Sequence, residues 1–180
     1  INRIFMERAQ SQNFIFADPF DQFLVPTNQF RHFNTKSPYM NVSYNACGSK
    51  TTGYDNLKVI YSQNIGKDVN FGGSYAYMYG QGYYNSQNTG FMNASAWASY
   101  NGDHYDMHMY YQFNTMKLAE NGGITDETYI THPENQTIKY GSNDIPTFLE
   151  RTWNRQEHHI VFLNQHYNLG FERIEGDSIN

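Results

Sequence analysis

The chain has 180 residues, which is enough for one or two domains with a substantial core. Its 12 basic and 17 acidic residues give a net charge of −5, which argues against a nucleic-acid partner. Aromatic residues are 17% of the chain and charged residues only 16%, and no apolar run reaches the ~20 residues of a membrane-spanning helix. Abundant Tyr, Phe, Asn and Gly favour β-structure.

The first 38 residues show no regular hydrophobic period. The stretch "FIFADPFDQFLVP" mixes Phe with Asp, and Pro19 and Pro26 would interrupt a central strand. The sequence therefore predicts an extended or turn-rich N-terminal segment over residues 1–38, followed by strands over residues 39–180.

From Tyr39 onward, apolar and polar residues alternate with a period of two. Six runs follow this pattern, at residues 39–47, 55–65, 69–81, 91–100, 104–116 and 155–169. Such alternation is typical of strands with one buried face. The Asn101-Gly102 pair is the strongest two-residue hairpin signal. The prediction is an all-β fold in which antiparallel strands run up and down.

The connection lengths add a second signal. Short turns at 66–68 and 101–103 fall at one end of an up-and-down sheet, and longer connections, including a polar stretch of about 118–154, fall at the other. Bacterial outer-membrane barrels have short periplasmic turns and long extracellular loops, and their strands cross the bilayer in ~9–11 residues. The pattern predicts a transmembrane β-barrel segment with an extracellular loop at about 118–154.

The two faces of the strands would then have different environments. The polar face carries Asn, Ser, Gln and His with little charge, whereas a soluble β-surface usually carries Lys and Glu. We expect the lumen to be lined by Asn93, Ser95, Ser99, His104, Asp106, His108, Gln112 and Asn114. We expect the lipid to contact Val69, Phe71, Tyr75, Tyr77, Met92, Ala96, Tyr100, Tyr105, Met107, Met109, Tyr111, Phe113, Val161, Leu163 and Tyr167. In the alternative, a soluble lipocalin-like barrel, the second set would point inward.

Several stretches also resemble a known family. The segments "FNTKSPY", "VNFGGSYAYMYGQGYYNSQ", "NGGITD" and "HHIVFLNQHYNLG" are similar to the putative porins of Bacteroidetes, which are outer-membrane β-barrels. The likeness runs from about Phe14 to Phe171. Family members are longer, so the resemblance implies the N-terminal part of a larger barrel. Six strands would not close alone, since the smallest such barrels have about eight.

No pattern in the chain points to catalysis. There is no P-loop, HExxH, CxxC or nucleophile elbow, and the resemblance brings no catalytic residues. His104, Asp106 and His108 share one face of a strand, but side chains ~6.6–6.8 Å apart along a strand suit a lining better than a chelate. We therefore expect no enzyme activity, no metal site and no cofactor.

The leading hypothesis is a porin-like barrel of the bacterial outer membrane that lets solutes pass passively. The second is a non-conducting barrel that scaffolds a larger outer-membrane complex, and the third is the soluble binding barrel. The expected partners are outer-membrane lipid and, in the second hypothesis, other subunits of the complex.

Overall fold

A computed structural model describes residues 24–25, 27–48, 53–141 and 144–170. The chain divides into two units, Ile1–Arg31 and His32–Asn180. In the first unit, the described residues include a short 3-10 helix at Thr27–Gln29. Most of the N-terminal segment predicted at residues 1–38 lies outside the described residues.

The second unit is built on one six-stranded sheet. Its strands are β1 (Tyr39–Cys47), β2 (Tyr54–Ile65), β3 (Val69–Gln81), β4 (Asn88–Asn101), β5 (Tyr105–Glu120) and β6 (Thr152–Tyr167). Every neighbouring pair is antiparallel, and the order in space is the order in the chain. This confirms the predicted all-β, up-and-down architecture. The sheet is open, because β1 and β6 do not pair with each other in the described residues, as expected for a segment of a larger barrel.

The tight turn between β2 and β3 lies where the sequence predicts it. Residues 66–68 form this turn, and Gly66 has a φ of +70°, a conformation that glycine adopts without steric cost. The register continues to the last residues of both strands, where Ile65 pairs with Val69.

The turn between β4 and β5 differs from the prediction. Asn101 belongs to β4, and neither it nor Gly102 has the positive φ that a two-residue Asn-Gly turn requires. The reason is that the Asn101 amide donates to the Asp68 carbonyl at 2.8 Å, which keeps Asn101 in the sheet. The turn therefore runs over 102–104, and Gly102 N donates to the Tyr105 carbonyl at 3.0 Å.

The long connection is shorter than predicted and includes short helical segments. Leu118 to Glu120 pair with Asn154 to Thr152, so β5 and β6 extend into the predicted loop and the connection covers residues 121–151. It contains a helical turn, α1 (Thr128–Thr131), and a 3-10 helix at Pro133–Asn135. Across the described residues, no helix has the length and apolarity needed to cross a bilayer.

The base of this connection is held by backbone pairing. Ile124 and Thr147 form a β-bridge, and Phe148 N donates to the Gly123 carbonyl at 3.0 Å. Farther out, Thr128 N donates to the Asp126 carboxylate at 2.8 Å, and hydrogen bonds from Thr128 hold the pKa of this carboxyl below its usual range. The connection is thus a folded element at the end of the sheet away from the short turns.

The sheet buries its polar face and exposes its apolar face. We call polar face the side that carries Asn70, Asn93, Gln112 and Asn114, and apolar face the side that carries Val42, Phe71, Met109 and Val161. The strand residues that are buried all lie on the polar face, namely Ser62, Asn70, Asn93, Ser95, Trp97, Ser99, Tyr110, Gln112, Asn114 and Met116. On the apolar face Val161 is 79% exposed. This is the reverse of a sheet in a soluble protein, whose apolar face packs on a core.

Candidate functional site

The polar face is the candidate functional surface, and cross-strand register assembles it. Asn93 lies opposite Asn114, Ser95 opposite Gln112, and Ser99 opposite His108. Asp106 begins the same row, next to Asn101 on β4 and His166 on β6. Seven of the eight residues predicted to line a lumen therefore share this face. The eighth, His104, lies in the turn before β5 rather than on a strand.

A hydrogen-bond network joins three strands of the polar face near the short turns. The Asn70 side-chain amide donates to Ser62 Oγ at 3.0 Å and also to the Asn64 side chain. Trp97 Nε1 donates to Asn70 Oδ1 at 3.2 Å. Asn70 is only 2% exposed. Burial of an amide side chain is costly when it lacks hydrogen-bond partners, and these hydrogen bonds supply the partners.

A second polar group lies farther along the sheet. The hydroxyls of Ser74 and Ser95 are 2.7 Å apart, and the Asn93 side-chain amide donates to Asn114 Oδ1. Gln112 Oε1 and Asn114 Nδ2 are buried and have no hydrogen-bond partner among the described residues. Amide groups like these are costly in an apolar core, so this face is not built as a hydrophobic interior.

Gly72 makes room for the one tryptophan on this face. It pairs directly with Trp97 across β3 and β4. A Cβ atom at Gly72 would lie 2.4 Å from Trp97 Cζ2 and 2.4 Å from the Tyr61 backbone carbonyl oxygen. The indole ring therefore occupies space that the side chain of any other residue at this position would fill.

The segment His32–Pro38 lies against the polar face before the chain enters β1. The Phe33 ring is 5.4 Å from the Trp97 ring, measured between centroids. The Asn64 side-chain amide donates to Asn34 Oδ1 at 2.6 Å, and Thr35 N donates to Asn64 Oδ1 at 3.1 Å. Sequence reasoning missed this contact, because the segment has no period that would predict which surface it covers.

An imidazole pair anchors the start of this segment. The His32 ring is 5.0 Å from the His108 ring and 6.2 Å from the Tyr110 ring, again between centroids. Burial first, and the neighbouring His108 imidazole second, hold the pKa of His32 below its usual value of 6.5. On the same face, the Asp106 carboxylate lies 3.8 Å from His166 Nδ1. Asp106 is two residues before His108 on β5, and the two side chains share this face.

We expect the segment His32–Pro38 to leave the polar face as the pH falls. When it detaches, His32 regains its usual pKa, so the detached form binds the proton more readily and acid favours detachment below about pH 6.5. A nitroxide on Lys36→Cys, in a Cys47→Ser background, should become more mobile between about pH 7.5 and about pH 5.5. His32→Gln should abolish this change, and His132→Gln, in the outer connection, should preserve it. Equal mobility at both pH values would contradict the expectation.

The apolar face contains every residue predicted to contact lipid. Register places the fifteen of them on one side of β3, β4, β5 and β6, and none is buried. Met109, at the middle of this surface, lies between Ala98 and Leu163 and is 44% exposed. Tyr100 and Tyr105 are near each other at the short-turn end, with ring centroids 6.1 Å apart.

The described residues contain no cluster of three or more His, Cys, Asp or Glu side chains arranged to hold a metal ion. His104, in its turn, is separated from the row of Asp106 and His108. The described strands thus have a polar surface with few charged residues on one side of the sheet and a largely apolar surface on the other.

Comparison with known proteins gives one result. A family model described as "Putative porin" matches residues 1–180. No curated protein matches the chain, and no solved structure matches it.

Proposed function

The chain belongs to this porin family, and from that membership we propose that it forms part of a bacterial outer-membrane β-barrel through which solutes pass passively. The apolar face would contact lipid and the polar face would line or plug the lumen. The connection 121–151 would lie outside the cell, and the turns at 66–68 and 102–104 in the periplasm.

The reversed distribution of polar and apolar side chains carries this proposal. Gln112 and Asn114 are 1% and 0% exposed, whereas Met109 and Val161 on the opposite face are 44% and 79% exposed. An apolar surface of this extent is unfavourable in water but favourable in the hydrocarbon region of a bilayer. Outward apolar and inward polar side chains are the pattern of transmembrane barrels.

The open sheet supports a larger barrel. A strand edge with unpaired backbone groups is costly in lipid, so membrane barrels close completely. The free edges of β1 and β6 would be paired by further strands. The intact mass in the native membrane fraction tests this: a mass well above that of these 180 residues is expected, and a mass equal to theirs would contradict it.

The lining suggests weak ion selectivity. In the strands that the structure describes, the polar face carries one lysine, Lys58, and two acidic residues, Asp106 and Glu120. Its other polar groups are neutral amides and hydroxyls together with a few imidazoles. Selectivity in a wide pore depends on width and lining charge, so we expect small neutral solutes to pass as readily as ions.

A second candidate function, a non-conducting barrel that scaffolds an outer-membrane complex, is favoured by one observation. The segment His32–Pro38 lies on the polar face, where it would narrow the lumen of a closed barrel. The two candidates differ in whether this segment blocks the pore permanently or leaves room beside it.

Conductance of the full-length protein in planar bilayers distinguishes the two candidates. The porin proposal expects stepwise currents, and Phe33→Ala should increase the conductance because the segment loses its contact with Trp97. Phe148→Ala, an exposed phenylalanine of the outer connection, is the matched control and should leave the conductance unchanged. Absence of current from both the native protein and Phe33→Ala would favour the scaffold.

A further inference from the structure

A cleft opens on the apolar face at the end near the long connection. It has a volume of about 480 Å³, within the range of ligand sites. Its lower wall contains Tyr77 and Met92, which belong to the predicted lipid-contacting surface. Its upper wall contains Lys117 and Arg155, and Thr115 lies opposite Met92 in the lower wall. The lining is therefore apolar on one side and cationic on the other.

The two cations are direct neighbours in the sheet. Lys117 of β5 pairs with Arg155 of β6, so two positive charges face each other across the strands. Like charges in this position destabilise a sheet unless a counter-charge lies nearby. They are also the only Lys or Arg side chains on the apolar face of the six strands.

Among the described residues, each cation contacts one neighbouring side chain and can make further contacts. Lys117 Nζ lies 4.2 Å above the centre of the Trp153 ring, and the Arg155 guanidinium contacts the Glu157 carboxylate. The Arg155 side chain is 57% exposed. One carboxylate against two cations leaves a net charge of +1, and an ammonium and a guanidinium together have eight N–H donors.

We propose that this cleft binds the phosphate group of an anionic membrane lipid. The inference rests on the proposed function, because it takes the apolar face to contact lipid. The phosphate would accept hydrogen bonds from Lys117 and Arg155, and the acyl chains would run along Tyr77 and Met92 toward the middle of the bilayer. The cleft lies where the apolar surface gives way to polar residues, which is the depth of the headgroups.

Charge and shape together favour a lipid over a free anion. A free phosphate would use only the cationic wall, whereas a lipid would also cover the exposed Tyr77 and the half-buried Met92 below it. The guanidinium gives planar, paired hydrogen bonds to phosphate oxygens, and the ammonium adds a point charge. The site thus fits an amphiphile whose anionic head lies against Lys117 and Arg155 and whose apolar tail lies against Tyr77 and Met92.

The test is a titration of the full-length protein in neutral detergent micelles with diphosphorylated lipid A, with the number of bound molecules read by native mass spectrometry. We expect the double variant Lys117→Gln, Arg155→Gln to bind at least about tenfold more weakly than the native protein. The control double variant Lys67→Gln, Lys139→Gln removes two positive charges from a turn and from the outer connection, and should bind as the native protein does.

Two further titrations identify the source of the ligand. The native protein should bind lipid A without phosphates about as weakly as the double variant binds intact lipid A. In the second titration, inorganic phosphate should not displace bound lipid A from the native protein. Equal binding by the double variant and the native protein would overturn the proposal. Displacement by inorganic phosphate would also overturn it, by identifying a free-anion site.

Insertion into bilayers is measured on the same proteins by cofloatation with phosphatidylcholine vesicles. If the native protein inserts but the double variant binds lipid A normally, the lipid site is wrong and the barrel proposal stands. If the native protein does not insert, the proposed function itself fails.

Discussion

Replacement of Gly72 by valine should lower the free energy of unfolding by about 3 kcal/mol. This is the largest effect that we expect from introducing one aliphatic side chain into the sheet. The new side chain would occupy the space of the Trp97 indole, and the Tyr61 carbonyl on the other side belongs to the backbone and cannot move away. Trp97 would have to shift, breaking its hydrogen bond to Asn70 and its contact with Phe33. Urea unfolding of the protein refolded into lipid vesicles measures the change.

Gly80→Val, which introduces the same side chain, is the matched control for this effect. Gly80 lies on the same strand and the same face as Gly72, but a Cβ there would meet only Tyr54 Cδ2, at 4.0 Å. We expect its unfolding free energy to stay within about 1 kcal/mol of the native value. If Gly72→Val were equally stable, the packing of Trp97 over the glycine would be wrong.

Replacement of Met109 by lysine should cost ~2–4 kcal/mol, because a charge would be placed near the middle of the bilayer. Met109 lies at the centre of the apolar surface, and its neighbours across the sheet are Ala98 and Leu163. The same unfolding measurement in lipid vesicles gives the magnitude. Met109 is 44% exposed, so a longer side chain fits there without a steric clash. The expected loss of stability therefore comes from contact between the new charge and lipid.

Gln165→Lys places the same charge on the same face, near the short-turn end of β6. A lysine close to the interface costs only ~0–1 kcal/mol. The difference in unfolding free energy between the two variants should therefore reflect the different depths of residues 109 and 165 in the bilayer. If the apolar face were in contact with water, Met109→Lys would be neutral or would improve solubility. That result would favour a soluble barrel and would remove the basis for the porin proposal.

Much of this architecture could be predicted from alternation alone. In β5, Tyr105, Met107, Met109, Tyr111 and Phe113 follow a period of two, and that period determines which residues share a face without any tertiary contact. The position of the short turn at 66–68 follows from the same runs. Sequence patterns also predicted the correct strand order, because short connections favour pairing between consecutive strands.

The tertiary structure decided which distant residues meet. Local alternation does not specify that Lys117 faces Arg155, since 37 residues separate them and the register depends on the pairing of two whole strands. Nor does it specify that Gly72 makes room for Trp97, or that Phe33 covers that ring. The Asn101-Gly102 pair shows the same limit, because a hydrogen bond to Asp68 on the neighbouring turn kept Asn101 in the sheet.

By itself, then, the sequence determined two faces, six strands in order and the ends at which they turn, because these depend on side chains that are close in the chain. The lack of charge on the polar face also predicted that this face points inward. Only the tertiary structure decided that the segment His32–Pro38 lies on this face. The physical reason is that alternation is symmetric: it separates the two faces, but burial depends on which surface the rest of the chain covers.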